Sequence, residues 1–419
     1  MLDISLIRDQ FPALKRNAIF LDNPAGTQIS QHSLNRIVDY LTEYNANHGG
    51  VFETSRQSDV ILEEAHSAAA DFYHAASPNE IVFGANMTTL TLHISRSLAR
   101  WLHPGDRIVL TRLDHDANIS PWLWIAEERG CSIDWIDFHP EDGTLALEQM
   151  QKALEKSPRL VAVGYASNAL GTINPLEQIV PAAKRAGAWV YVDAVQYAPH
   201  APIDVQELGC DFLVSSAYKW FGPHVGVLYG RYELLDKLFA YKVRPASNEP
   251  PGKFETGTLN HEGIAGVLGA LEYLEWLGKQ FGQSYQEKLS PRYSGRALYL
   301  KQAIAVMREY EAQLAKTLLE ILEETPGVTI YGLRDPDRIA ERVPTVAFRL
   351  KDYPPHKIAE ELDQSGIYVW DGNYYALEVT TRLGVEDRGG MVRVGPVHYN
   401  THAELEQFGR VLNKIASHR

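Results

Sequence analysis

A lysine stands between two large aromatic residues in "SSAYKWFGP" (Ser215–Pro223), directly after the apolar run "DFLV". A buried strand has no structural need for an ammonium at its end. An amine partly withdrawn from water, however, has a depressed pKa and can form a Schiff base with an aldehyde. Three other segments offer groups that could serve such a reaction. Asp193 closes "AWVYVD", Gln196 follows three residues later, and Lys219 comes 26 residues after the aspartate. Past "EIVF" the chain reads "GANMTT", a glycine and small polar residues opening a helix. There the amides of Ala85, Asn86 and Met87, with the Thr88 hydroxyl, form a cradle for a phosphate. His115, in "LDHDAN" after "DRIVLT", suits stacking on a flat ring and moving protons. A Schiff-base lysine, an acid for a pyridinium nitrogen and a phosphate cradle are what pyridoxal phosphate requires. Asp193 would keep the ring nitrogen protonated, so that the ring accepts electron density from a substrate carbanion.

Each piece alone also has a plain structural reading. A strand-end lysine usually lies along the surface with its head in water, and a lone aspartate usually caps a turn. "DHD" around His115 has no HExxH or CxxC to complete a metal site. "FGANMTT" lacks the second and third glycines of a dinucleotide fingerprint. The order of cradle, histidine, Asp-x-x-Gln and lysine together is far more specific than any of its parts.

These groups need a scaffold that gathers strand ends. Between about residues 60 and 230, seven short apolar runs alternate with helix-like segments: "EIVF", "DRIVLT", "CSIDWIDF", "RLVAVGY", "AWVYVD", "DFLVSS" and "HVGVLYG". Continuous apolar strands imply a sheet buried on both faces, and so an α/β layer fold with mostly parallel strands. Ligands in such sheets sit at the C-terminal strand ends. The short loop between the last two runs predicts one antiparallel edge. Residues 285 to 324 read as a long charged helix. The strand candidates "GVTIYG", "TVAFRL", "IYVW" and "MVRVGPV" follow, with the helices "PHKIAEELDQSG" and "THAELEQFGRVLNKIAS", as a smaller α+β domain. The expected division is an N-terminal segment packed on the small domain (1–20), a large domain (21–285) and a small C-terminal domain (286–419). A formal net charge of −13 argues against nucleic acid and against anionic membranes. No apolar run has the length of a signal peptide or a membrane span. Two cysteines, Cys131 and Cys210, make no disulfide framework and fit a reducing compartment, so a cytoplasmic location is expected.

Over nearly its whole length the chain resembles the class V aminotransferase group of fold-type I pyridoxal-phosphate enzymes. Within that group it is most similar to the Suf-type cysteine desulfurases and selenocysteine lyases. The resemblance is carried by "LDNPAGTQ", "DHDANISPW", "YASNALGTINP", "VDAVQYAPHAPIDVQELGCDFLVSSAYKWFGP", "FETGTLN" and "MVRVGPVHYNT". It implies that Lys219 is the Schiff-base lysine, Asp193 the pyridinium partner and His115 the ring-stacking histidine. It further implies that Gln196 bonds the cofactor's phenolic oxygen, that Asn168 lies near ring and substrate, and that Ser216 binds phosphate. Thr258 would reach the phosphate of a neighbouring subunit, implying a homodimer. Arg393 would grip the substrate α-carboxylate, a task that suits its planar fork.

Departures from that pattern bear on the reaction. The loop that carries a persulfide-forming cysteine in the desulfurases reads "IYVWDGNYYALEV" here, with Tyr375 at or next to the cysteine's place, and no cysteine follows Cys210. Cys131 and Cys210 lead into strands and read as small core residues. Tyr218 replaces a phosphate-touching histidine, and the family's His-Arg pair reads His48-Gly49, leaving His48 on the substrate side. The expectation is a homodimeric enzyme acting on a small amino acid by C–S or C–Se lyase-type chemistry without a catalytic cysteine. An aminotransferase or an epimerase on the same fold is the alternative, and a relative that has lost its chemistry is a weaker one.

Overall fold

The structure is a computed structural model of the chain and describes residues 2–351 and 353–417. All seven apolar runs form strands: β1 Ile81–Gly84, β2 Arg107–Thr111, β3 Ser132–Ile136, β4 Leu160–Gly164, β5 Trp189–Asp193, β6 Phe212–Ser216 and β7 Gly226–Gly230. They build one sheet in the order β1-β7-β6-β5-β4-β2-β3. Every residue of β4 and of β6 is buried. Alternate side chains of a single strand enter different cores: Val161 and Val163 pack on one face, Leu160 and Ala162 on the other. Burial on both faces therefore explains the unbroken apolar runs.

The antiparallel element lies elsewhere than the edge predicted from the short loop. β7 runs against both β6 and β1, so it sits one place in from the edge, and β1, which comes first in the sequence, takes the outer position. A tight β6–β7 turn dictates that the two strands are antiparallel neighbours, but it says nothing about which strand closes the sheet.

Towards the C-terminus β8 Val328–Tyr331, β9 Val346–Leu350, β10 Trp370–Gly372 and β11 Met391–Val394 form a second, antiparallel sheet ordered β10-β11-β9-β8. The run "IYVW" is divided rather than one strand. Ile367–Tyr368 pairs in parallel with Ile19–Phe20 near the N-terminus, and Trp370 begins β10. The predicted long helix is also interrupted. A short helix, Gln286–Leu289, precedes a break, and the main helix runs Gly295–Glu324. That 30-residue helix joins two cores: Leu300, Ile304 and Met307 pack into a core on the seven-stranded sheet, while Leu314, Leu318 and Leu322 pack into the core of the four-stranded sheet. Cys210 is buried as expected, and Cys131, just before β3, is partly buried and packs against the core on one face of the sheet. Among the described residues no helix is long and apolar enough to cross a membrane.

Candidate active site

The C-terminal ends of the central strands converge on one cleft, as an open parallel sheet requires. Lys219 ends the short turn after β6, and its Nζ donates to the Pro24 carbonyl. Burial, reinforced by the nearby Arg393 guanidinium, pushes its pKa down to about 7, while Asp22 and Asp193 act in the opposite sense. A substantial fraction is then neutral amine near pH 7, the form a nucleophile needs. Asp193 at the end of β5 is buried and accepts one hydrogen bond, from the Val195 N–H at 2.9 Å. Burial raises its pKa to about 6 against the opposing effects of that bond and Lys219. Asp114 lies nearby; burial and then the Asp193 charge hold its carboxyl well above the usual range. Its oxygens accept from Gly164 N–H at 2.6 Å and Asn118 Nδ2 at 3.3 Å.

The helix α1 Met87–Ala99 is capped by Asn86, whose Oδ1 accepts from Thr89 N–H at 2.9 Å. Ser216 Oγ at the end of β6 accepts from Met87 N–H at 3.1 Å, which ties the helix N-terminus beside Lys219. Gly226 permits this approach, because a Cβ there would lie 2.4 Å from the Asn86 carbonyl carbon. The exposed Thr88 is left at the helix mouth, where first-turn N–H groups attract anions.

Arg393, on β11, reaches the cleft from the four-stranded sheet. Its Nη1 donates to the Asn168 carbonyl at 3.0 Å, its guanidinium lies 4.4 Å over the Tyr374 ring, and its Nη2 is 3.8 Å from Asp22 Oδ1. Its Nε is buried with no hydrogen-bond partner. The edge formed by Nε and Nη2, the one that grips a carboxylate through two parallel bonds, is therefore open. Asn168 donates to the Tyr374 carbonyl at 2.9 Å and leaves Oδ1 unpartnered, while Gln196 donates to Thr345 Oγ1 at 2.8 Å and leaves Oε1 unpartnered. Buried polar atoms without partners are costly in a finished protein, so their concentration here marks a ligand site.

His115 accepts from Ala117 N–H through Nδ1 at 3.0 Å. Burial, Lys219 and Arg393 push its pKa down to about 3, so the ring is neutral with its proton on Nε2. The Tyr375 ring stacks on it at 5.5 Å and 24°. Tyr374 and Tyr375 are both left-handed, with φ of 57° and 58°, a conformation that costs free energy in residues other than glycine and clusters at functional sites. The Asp116 N–H bond to the Tyr375 carbonyl, 2.7 Å, helps to hold that turn against His115.

Met87, Thr88, His115, Asn168, Asp193, Gln196, Tyr218 and Lys219 share the one cleft. Ser216 stands behind it, and Arg393 on β11 and Tyr375 in the turn after β10 lie at its mouth. Other predicted residues lie elsewhere in this single chain. Ala85 and Thr258 line a neighbouring cavity of about 310 Å³, beyond the Tyr218–His224 ring stack at 4.7 Å. Asn86 serves as the helix cap. His48 is exposed on another surface, 3.7 Å from Asp59 and against the His261 ring. Sequence reasoning assigned no role to Asp22 or Asp114, and placed Tyr374 only as an aromatic residue on the substrate side. Asp22 lay within the quoted "LDNPAGTQ" and Asp114 immediately before His115, but nothing local shows where those carboxyls point. No group of three or more His, Cys, Asp or Glu able to hold a metal exists among the described residues.

The residues fit pyridoxal phosphate: Asp193, with a single N–H on it, suits a pyridinium N–H, and the mouth of α1 suits the phosphate. The comparisons agree. The Aminotransferase class-V family model matches residues 19–297 and 295–408. "Aminotransferase-like protein FGM3" of Gibberella zeae is 34% identical over 96% of this chain and 96% of its own length. A cysteine desulfurase of Pectobacterium atrosepticum is 32% identical over 98% of both chains. The apo structure of a cysteine desulfurase from Thermococcus onnurineus superposes with a TM-score of 0.89 at 29% identity, covering 100% of this chain and 99% of that one. With matching fold and sequence over almost its entire length, the chain belongs to the class V aminotransferase family, whose members are pyridoxal-phosphate-dependent enzymes.

Proposed function

We propose that this enzyme acts on a small α-amino acid of the cysteine type and expels a sulfur or selenium group from its β-carbon, with no persulfide-holding cysteine of its own. The open Nε/Nη2 edge of Arg393, facing the cleft that holds Lys219, carries this reading. It is the shape an α-carboxylate requires, and it fixes the substrate's amino end near Lys219. The cysteine desulfurases among the relatives motivate the leaving group. The residue over His115 is Tyr375, and neither Cys131 nor Cys210 lines the cleft.

Bound pyridoxal phosphate supplies an electron sink for negative charge at the substrate Cα. The chain's own residues prepare and direct that chemistry. Arg393 anchors the carboxylate, and Asn168 Oδ1 is free to accept a donor beside it. Lys219, with its lowered pKa, is the group that moves the Cα proton. The neutral His115, its Nδ1 already occupied, serves as a flat wall to the cleft and leaves proton transfer to Lys219. Asp193 holds a buried negative charge under the site.

The same reading includes a second copy of this chain. Thr258 is exposed, and so are Val38, Leu41, Val51, Phe52 and Val60 in the segments on either side of His48 in the sequence. A homodimer would cover both and bring Thr258 towards the partner's phosphate. Sedimentation that shows a fully active monomer removes this part.

The deciding experiment is a visible spectrum of the purified protein before and after amino acids are added. A yellow band abolished by borohydride, with pyruvate released from cysteine, supports the lyase. Cysteine consumed without pyruvate, with a pyridoxamine spectrum left behind, makes the enzyme an aminotransferase.

A further inference from the structure

Asp22 has a position that folding alone does not explain. The N-terminal loop carrying it is stitched onto the end of β11: Asp22 bridges Gly395, Gly395 N–H donates to the Leu21 carbonyl at 2.8 Å, and a Cβ at Gly395 would lie 2.2 Å from Pro24. The loop is thus pressed against the strand two residues beyond Arg393, and two residues past Asp22 the Pro24 carbonyl accepts from Lys219. The Asp22 carboxyl ends between the two cationic groups of the cleft. Yet its Oδ1 is buried without a hydrogen-bond partner, and the approach to Arg393 Nη2, at 3.8 Å, is too long to be one. The guanidinium is equally unfinished, with Nε unpartnered.

A purely structural ion pair would close up, because half-used buried charges are costly. Opposite charges held apart and unsatisfied in a cleft are instead complementary to a ligand that carries both signs. The geometry points to Asp22 and Arg393 as a paired reader of zwitterionic α-amino acids: Arg393 takes the carboxylate, and Asp22 takes the ammonium and accepts one of its protons. This rests on the function proposed above and adds to it the requirement for an unblocked amino group.

The proton balance is simple. A substrate arrives as ammonium, which has no lone pair for attack. One proton passes from its nitrogen to Asp22, leaving a neutral amine and a neutral carboxyl. The neutral carboxyl no longer competes with the substrate carboxylate for Arg393. The freed Lys219 amine stays neutral and so can take the Cα proton, while Asp22 keeps its own proton and returns it to the amino group that leaves, so no net proton is gained or lost. The groups facing Asp22 are Arg393 from β11, Lys219 from the turn after β6 and the Tyr374 phenol from the loop after β10. Burial raises the Asp22 pKa to about 6 against the pull of Arg393 and Lys219, which suits an acid that exchanges protons near neutrality.

The test uses the cofactor-loaded protein with L-alanine, N-acetyl-L-alanine and L-alaninamide as probes, binding being measured by calorimetry between pH 5 and 9. For wild type, alanine affinity should fall on the acid side of about pH 6, as Asp22 takes up a proton before the ligand arrives. In Asp22→Asn, alanine affinity at pH 8 should drop about tenfold or more, because a buried charged contact is lost. The acid limb should vanish, and N-acetylalanine, which has no ammonium, should bind within about twofold of wild type or tighter. Asp22→Glu should restore part of the alanine affinity, which separates loss of the carboxylate from damage to the loop. An Asp22→Asn protein that binds alanine like wild type and keeps the limb overturns the proposal. So does equal weakening of all three probes, which would mean a structural role. The cofactor absorbance band is the control for the underlying reading: it should be the same in both proteins, and its absence from wild type would overturn that reading instead.

Discussion

Lys301 is buried and Lys219 partly buried, and withdrawal from water brings the pKa of each to about 7. Judged by that alone, either could be a Schiff-base lysine. Their surroundings differ. Lys301 lies within the Gly295–Glu324 helix, 1% exposed, and donates to the carbonyls of Phe72 (2.6 Å) and Ile203. It faces no cleft. Lys219 opens onto a space bounded by unpartnered oxygens and an unfinished guanidinium. The same contrast recurs for the arginines. Arg342, whose pKa burial lowers to about 10, spends its guanidinium on the carbonyls of Leu333, Val343, Thr345 and Leu170, while Arg393 keeps Nε free. It recurs again for the aspartates. Asp211 accepts from Lys184, Arg231 and the Val190 N–H, while Asp193 accepts from one N–H. A perturbed pKa therefore marks burial, and it is the unsatisfied atoms around a group that mark function.

The lysines give the most severe test. Lys219→Met should abolish the cofactor band and lower turnover by about 10³-fold or more, with the protein still folded. Lys301→Met should retain turnover per folded molecule but lose about 1–4 kcal/mol of stability, because two buried carbonyls lose their donor. Urea unfolding and borohydride-trapped absorbance measured on both variants check this. Loss of the band in the Lys301 variant would break the distinction. Next come the arginines. Arg393→Ala should raise KM for a small amino acid about 100-fold through loss of a bidentate charged contact, and Arg393→Lys should recover only part of it. Arg342→Met should leave KM within about twofold and lower the unfolding midpoint, since its partners are structural carbonyls. Steady-state kinetics beside thermal unfolding separates the two.

What could be read in the sequence follows the same line. Lys219, Asp193 and His115 were legible because each ends a continuous apolar run, and a parallel sheet gathers such ends by geometry. The seven strands were legible for the same reason, burial on two faces. Asp22 was not, because it enters the cleft through pairing of Ile19–Phe20 with Ile367–Tyr368, a contact between segments far apart in the chain that leaves no local pattern. The divided "IYVW" run has the same cause: its two halves have partners in different sheets. The place of β7 inside the sheet depends on β1 packing outside it, which no turn rule encodes. His48 shows the converse, a residue picked out by its neighbours in sequence that the folded single chain leaves on another surface.

The aspartates provide the finest test, through stability and not through rate. The Asp193 pKa rises from 3.8 to about 6 on folding, so the folded state binds its proton more tightly than the unfolded chain. That contribution is fully present below about pH 4 and is lost as pH rises through 6. In cofactor-free protein above that range, the buried carboxylate should cost about 2–3 kcal/mol, the equivalent of about two pKa units. Asp193→Asn should consequently be the more stable protein at pH 8, by a few degrees in Tm, and the gap should open between pH 4 and 6. Asp22 has the same sign and pH range. Asp211→Asn should lose stability instead, because Lys184 would be left with an uncompensated charge beside a buried amide. Opposite signs for the two Asp→Asn changes would mean that the cleft holds its charge at the expense of the fold, as a site arranged for a ligand does. If both variants lost stability together, Asp193 would be one more structural acid, and the partnerless oxygens around it would no longer distinguish the cleft from the rest of the interior.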